Sequence, residues 1–464
     1  MTDADAMETL MRHVSDTSYM DLPRNVVDST KRVVLDLIGV TAAGSSTPEA
    51  QTVLNLARSW GGRGESSILV HGDRVPAPSA GLVNGTMGRA RDFDDVHEKA
   101  VLHPSVSVIP AALATAELRG GIDGRDFITA IALGVDLTCR LGMAPRTGPN
   151  ISGMSTTWQC GTFGAAAAAG KVLGLDHGAL MDAMGIAYSQ ASGNQQAIAE
   201  GSTAVRVQQG LTTWAGITSA LLASKGITGP RNVLEGRYGY YPVYHGGGYD
   251  REALTGGLGE TYEIVNTSFK LYPCCKWTHQ AIDAALEAVR EDGLEPGEVD
   301  SVDVRLNRQA FNLVCVPLDL KRRPRSVVDA QFSVPYTVAA AIVRGDVSLA
   351  TFTAEAMNDP EILNMAQKVT PRVDEQLERQ EARGMAPEIV EIRTKDGRTH
   401  QRCVEHVKGG PMTPMTTEEL HEKFRMCIAY AAKPIPDEAT EELCTIIGRL
   451  ESLDDISDII SLLS

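Results

Sequence analysis

The spacing of apolar residues changes character twice along this 464-residue chain, and that switch constrains the fold more than any single motif. Up to about residue 265 the pattern is helical. Pro23 suits a first helical turn, and Val26, Val27, Thr30, Val33, Val34, Leu37, Ile38 and Thr41 then recur on one face until Gly44. Similar runs cover 107–118, 127–141, 163–173 and 211–223. Gly120-Gly121, Gly174 and Gly226 stand between them, where left-handed C-terminal caps belong. Ala165 to Ala169 form an alanine run whose small side chains predict a buried helix crossed closely by another backbone. After residue 265, Ser301 to Leu306 alternates with period two. So does Ile389 to Arg393, which reaches the hairpin dipeptide Asp396-Gly397 before Thr399 to Val404 resumes the pattern. Helical patterns at 278–289, 327–343 and 354–368 surround these strands, which predicts a separate α+β unit. From Thr416 the chain is helical again. The expected protein is therefore mainly α: a large all-helical domain built from both chain ends, 1–266 and 408–464, with an inserted α+β domain at 267–407.

Composition narrows the partners. With 43% hydrophobic and 22% charged residues the chain has ample material for cores, which excludes disorder for most of it. Lys and Arg total 43 against 59 Asp and Glu, a formal charge of −16 that repels phosphate backbones and anionic lipid heads, so neither nucleic acid nor membrane is an expected partner. The start, Met1 to Asp5, has no basic or apolar leader character, and no apolar run approaches the roughly 20 residues of a spanning helix, so a soluble, cytoplasmic protein is expected. Eight scattered cysteines read as reduced, buried thiols. The one close pair, Cys274-Cys275, is too strained to bridge itself, and no second Cys/His pair lies at finger spacing, so no metal is expected. Dinucleotide, phosphate-loop, zinc-protease and nucleophile-elbow motifs are missing from the sequence.

Two clusters carry candidate chemistry. Arg91-Asp92-Phe93-Asp94-Asp95-Val96-His97, followed by His103-Pro104-Ser105, places three carboxylates, two imidazoles and an arginine within fifteen residues. Such a set can hold a proton donor and acceptor tuned by mutual proximity. An acidic loop whose Asp side chains cap the next helix fits the same residues, as does an oxygen-rich magnesium or calcium site, although the spacing matches no established cation loop. The second cluster is Lys270-Leu271-Tyr272-Pro273-Cys274-Cys275-Lys276-Trp277-Thr278-His279, at the change of pattern. Lys270 there can hold a carboxylate as a point charge and His279 can move a proton, or Lys270 can be a surface residue and Tyr272 and Trp277 packing residues. Gly246-Gly247-Gly248 and Gly256-Gly257 precede the change, as hinges or as turns.

At these residues the sequence resembles the MmgE/PrpD family, which includes 2-methylcitrate dehydratase, cis-aconitate decarboxylase and iminodisuccinate epimerase. The likeness is carried by Asp92-Phe93-Asp94-Asp95 with His103-Pro104-Ser105, by Pro110 to Ala114, by Gly161-Thr162-Phe163-Gly164 with Ala165 to Ala168, by Gly226 to Pro230, by Lys270-x-Tyr272-Pro273 with His279, and by Asp329 to Tyr336. The resemblance implies an inserted α+β lid, a homodimer, and an active site in a cleft with neither metal nor organic cofactor. It also implies proton movement next to a carboxylate of a small polycarboxylic acid. Carried over by position, Asp92, His103 and Lys270 are catalytic candidates, joined by His279. Three departures stand out. Val96 replaces a threonine of the decarboxylase-like pattern, Gln159-Cys160 replaces a His-Pro, and Ala204 to Gly210 lacks the usual lysine and histidine. Each lost cation or donor removes a contact of roughly 1.5–3 kcal/mol, which favours a smaller or less charged acid than a tricarboxylate. Arg206 is placed to grip a carboxylate in bidentate fashion or to lie on a helix surface. Gln159, Asp95 and Tyr272 complete the expected substrate-binding set. The leading expectation is a cofactor-independent lyase that dehydrates a small hydroxy-carboxylic acid. Lys270 and Arg206 would hold the carboxylate, His103 would act as general base or acid, Asp92 would orient it, and His279 would serve a second proton transfer. An epimerase or isomerase of an imino- or amino-dicarboxylate is the alternative, and a carboxylate-binding member without catalysis the second.

Overall fold

The computed structural model describes residues 5–146, 153–379 and 385–463, so the reading of the first four residues lies outside the described residues. The chain is predominantly helical, and its contacts divide it into two compact units. The first takes the described residues within 1–195, 204–268 and 416–464; the second takes Gln196–Thr203 and Phe269–Met415. No helix among the described residues is long and apolar enough to cross a membrane.

In the first unit, α1 (Arg24–Gly44), α2 (Ala77–Arg89), the two-residue strand β1 (Val96–His97), α3 (Ser105–Arg119), α4 (Gly124–Met143), α5 (Thr156–Val172) and α6 (Ala204–Ser224) follow in order. The helices expected from periodicity are present and begin before their apolar runs, α5 and α6 by about two turns, and Gly120, Gly174 and Gly226 take positive φ just past helix ends as expected. Helix α5 is the centre of this unit. Ala165 to Ala169 are fully buried, and α3, α4 and α6 all pack against α5. The alanine run admits these neighbours because the opposing positions are glycine. A Cβ on Gly216 of α6 would collide with the Ala165 methyl, and one on Gly164 of α5 would collide with the Thr138 hydroxyl of α4. Strand β1 pairs antiparallel with β2 (Thr267–Ser268), a contact with no sequence signal at that length.

The second unit has a four-stranded sheet. After α7 (His279–Glu291) come β3 (Val299–Leu306), α8 (Val334–Arg344), β4 (Val369–Val373), β5 (Glu388–Thr394) and β6 (Thr399–Val404), with strand order β4-β3-β5-β6. Strands β5 and β6 form the expected hairpin, with Gly397 at φ 91° in its turn. Along β3, Val302, Val304 and Leu306 are buried while Asp303 and Arg305 face outward. Strand β4 was not expected, since Pro371 interrupts its pattern; it pairs in parallel on the sheet edge, where a missing N–H is tolerated. Two expected helices are each broken. The 327–343 run splits because the Ser333 hydroxyl accepts from the Tyr336 N–H and starts α8 with Pro335 in its first turn. The 354–368 run splits before Pro360, which disfavours a helical residue ahead of it. The chain then re-enters the first unit through α9 (Thr417–Ile428), begun by a reciprocal capping box between Thr416 and Glu419 and packed on α1.

Because α5 is crossed where both helices carry their smallest residues, Ala165→Leu has nowhere to place its added carbons. It is expected to cost about 1–3 kcal/mol, read as a lower denaturant midpoint at unchanged slope, whereas Ala354→Leu at an exposed position should leave the midpoint in place.

Candidate active site

Helix α2 ends at Arg89, and the turn after it folds back on that residue: the Asp92 N–H donates to the Arg89 carbonyl at 3.1 Å. Asp92 itself sits at φ 53°, a left-handed conformation that aspartate tolerates better than most residues. The result is that one guanidinium nitrogen of Arg89 donates to Oδ1 of both Asp92 and Asp94, the latter at 2.7 Å. Asp92 and Asp94 have no solvent exposure and Arg89 very little. The other Asp94 oxygen lies 3.1 Å from Nδ1 of His103, and the same nitrogen is 2.9 Å from the Asp95 carbonyl oxygen. Both neighbours of Nδ1 are acceptors, so Nδ1 carries the proton and proton transfer falls to Nε2. The His103 backbone N–H donates to the Thr157 hydroxyl on α5 at 3.2 Å. With 16% of its side chain exposed, His103 is the most accessible member of a group that is otherwise buried.

Asp95 faces elsewhere. Its carboxyl accepts from the Ser105 hydroxyl and the Ser105 backbone N–H at the start of α3, so the helix-capping role anticipated for this cluster belongs to this residue. Burial, reinforced by the nearby charges of Asp94 and Asp36, pushes Asp95 up to about 8. Arg206 on α6 is buried, and its Nη1 donates to the Arg89 carbonyl at 3.4 Å. Burial lowers it to about 10, opposed chiefly by the charge of Asp92, so it remains a cation. Gln159 on α5 is buried, its amide oxygen accepting from the Tyr240 hydroxyl at 3.0 Å, while its amide nitrogen has no partner among the described residues.

The remaining candidates lie in the second unit. Lys270 is fully buried. The Tyr272 hydroxyl donates to Asp283 at 2.5 Å, its ring is 5.0 Å from that of His279, and burial together with the Asp283 charge raises its phenol. The His279 Nε2 approaches the Cys274 carbonyl at 3.4 Å. The segment is held by Gln331, whose amide donates to the Pro273 carbonyl at 2.7 Å. Cys274 and Cys275 are not joined in a disulfide.

Two members of the acidic cluster are used differently from the sequence reading. Arg89, not Arg91, serves the carboxylates; Arg91 donates to the Ala43 carbonyl and the Ser46 hydroxyl. His97 turns to Glu263 at 3.0 Å. Arg89 lay just outside the cluster in sequence, and only the turn at Asp92 brings it in. Asp92 and Asp94 converge on this resident cation, and no three His, Cys, Asp or Glu side chains gather in a metal-holding group among the described residues.

Comparison with known proteins adds to this geometry. Residues 8–252 match the model described as the MmgE/PrpD N-terminal domain, and residues 272–446 match that described as the MmgE/PrpD C-terminal domain. The chain is 29% identical over 470 residues to a cis-aconitate decarboxylase of Aspergillus terreus, covering 96% of this chain and 93% of that protein. It is 27% identical over 450 residues to the cis-aconitate decarboxylase of Mus musculus, covering 95% and 90%, and 26% identical over 453 residues to that of Homo sapiens, covering 95% and 91%.

The raised Asp95 carboxyl has a consequence for stability. It stays protonated in the fold up to about pH 8, whereas unfolded it ionises near its ordinary value of 3.8. The folded state binds the extra proton in between, so this group's contribution falls as pH rises through that window. Asp95→Asn, which cannot ionise, should therefore gain stability relative to the parent between about pH 5 and pH 8, measured by urea unfolding. A difference that does not vary with pH would refute the burial of a neutral carboxyl here.

Proposed function

Because this chain belongs to the MmgE/PrpD family, we propose that it is a lyase of a small carboxylic acid in which His103 moves a proton at a carbon next to a carboxylate. The observation that carries the proposal is the clamp on the ring: Nδ1 between the Asp94 carboxylate and the Asp95 carbonyl. A neutral His103 is then a base at Nε2, and the cation formed when it accepts a proton is stabilised by Asp94 without reorganisation. The same ring, once protonated, is a general acid. Asp92 holds Arg89 in place beside Asp94. Arg206 is a buried cation suited to a carboxylate, and the Gln159 amide nitrogen, without a partner among the described residues, is a buried donor that a ligand oxygen would satisfy. Lys270, as a carboxylate anchor, and His279, as a second proton carrier, enter through the likeness of their motif, as does a homodimeric state.

Similarity to cis-aconitate decarboxylases over nearly the full length favours loss of carbon dioxide from an unsaturated polycarboxylate. The carbon–carboxylate bond breaks, its electron pair remains on carbon, and protonated His103 delivers the proton. Dehydration is the second reading: the same His103 ring, once protonated and held by Asp94, is an acid of the kind that a departing hydroxide requires.

Proton NMR in deuterated water, with a panel of hydroxy-, unsaturated and amino-dicarboxylic acids that includes cis-aconitate, 2-methylcitrate and iminodisuccinate, separates these readings. Release of carbon dioxide with deuterium on the product carbon supports decarboxylation, and a new alkene with its skeleton intact supports dehydration. Deuterium exchange alone would replace the lyase by an epimerase. On the true substrate, His103→Ala should lower turnover by roughly 10²–10⁴ with the fold retained. Lys270→Met should raise KM roughly 10- to 100-fold, the effect of losing one charged contact of about 1.5–3 kcal/mol.

A further inference from the structure

Lys423 on α9 lies 330 positions beyond Phe93 in the chain, yet its buried ammonium reaches the middle of the Asp92-Phe93-Asp94-Asp95 segment. Its Nζ donates to the Phe93 carbonyl at 3.0 Å, forms an ion pair with Oδ1 of Asp36 on α1 at 2.6 Å, and stands 4.1 Å from the centroid of the Phe93 ring. The Phe93 carbonyl belongs to the peptide that leads into Asp94, so whatever holds that oxygen fixes the plane from which the Asp94 side chain departs. On the other side, Asp92 is left-handed, a conformation that aspartate tolerates but that still carries some cost. Asp36 completes the arrangement. Burial raises its carboxyl, the charge of Asp94 raises it further, and Lys423 opposes both. Arg89, Arg206 and Lys423 are thus the cations set around the carboxyls of Asp36, Asp92 and Asp94.

We propose that Lys423 is a positioning residue for His103: it anchors the Phe93–Asp94 peptide so that the Asp94 carboxylate stays against Nδ1 and the ring keeps a single tautomer. The inference rests on the proton-transfer role given to His103 above. A lysine that merely filled a buried ion pair would influence stability and leave the imidazole as it was. A lysine that acts through Asp94 changes the state of a ring it does not touch.

The test is nitrogen-15 NMR of the full chain labelled at its histidine rings, with His103 assigned from His103→Gln. In the parent and in Lys423→Arg, His103 should show one tautomer with a slowly exchanging Nδ1 proton. In Lys423→Met that proton signal should vanish and the ring should become a mixture of tautomers, with turnover down roughly 10–10²-fold at unchanged KM. The double variant Lys423→Met/Asp36→Asn leaves no uncompensated buried charge and should show the same loss, which keeps the test available where the single variant does not fold. An unchanged His103 tautomer in either folded variant overturns the proposal. The ring's state is read without substrate, so a failure of the proton-transfer role, seen as full activity of His103→Ala, is told apart from a failure of Lys423 to position the ring.

Discussion

Two carboxylates without solvent exposure, Asp92 and Asp94, share the Arg89 guanidinium, and the surrounding helices are built to deliver that one cation. Removing an ion from water costs several kcal/mol even after relaxation, and a pair recovers this only when its geometry is good and the remaining oxygens are occupied. Here Asp94 spends its second oxygen on His103. Delivery of Arg89 to this depth depends on α2 being a helix of small residues. A Cβ on Gly85 would stand 2.6 Å from the Thr213 hydroxyl of α6, and one on Gly88 3.1 Å from Val106 of α3. Helix α2 fits closely between these neighbours because glycines face them, and its end carries the arginine into the core. The charge triad and the close helix packing are one design, since the first cannot be buried without the second.

The fold class was legible because it rests on local rules. A helical apolar stripe ending in a glycine, or an alternating strand reaching Asp396-Gly397, declares itself within a dozen residues, and α1, α3, α4, β5 and β6 follow those patterns closely. What escaped were elements that only tertiary contact creates. Strand β4 holds a proline and exists because β3 lies beside it; β1 and β2 are two residues each and exist because they meet. The breaks before α8 and within 354–368 were written in Ser333, Pro335 and Pro360, but the apolar periodicity running through them masked those stop signals.

The site was legible in composition and not in wiring. Three aspartates and a histidine in so short a span point to proton chemistry, yet residue types do not say which carboxylate meets which cation. The nearest arginine in sequence, Arg91, is drawn off to Ala43 and Ser46, while Arg89 is turned inward by the left-handed step at Asp92. Lys423 and Asp36 carry no sequence signal at all, because a buried lysine looks like any surface lysine until its partner, hundreds of residues away, is placed beside it.

The consecutive residues Asp94 and Asp95 show how environment, not identity, assigns a role. Asp94 faces Arg89 and His103, where a charge is matched by a guanidinium and by an imidazole that gains a proton. Asp95 faces the neutral hydroxyl and backbone N–H of Ser105 in a dry setting, and burial outweighs these two hydrogen bonds. One carboxyl becomes a fixed partner for a cation and the next a stored proton, a separation of acid and acceptor achieved within two residues. The backbone atom between them contributes as well: the Asp95 carbonyl is the second acceptor for Nδ1, so the same step in the chain that parts the two carboxyls also orients the ring.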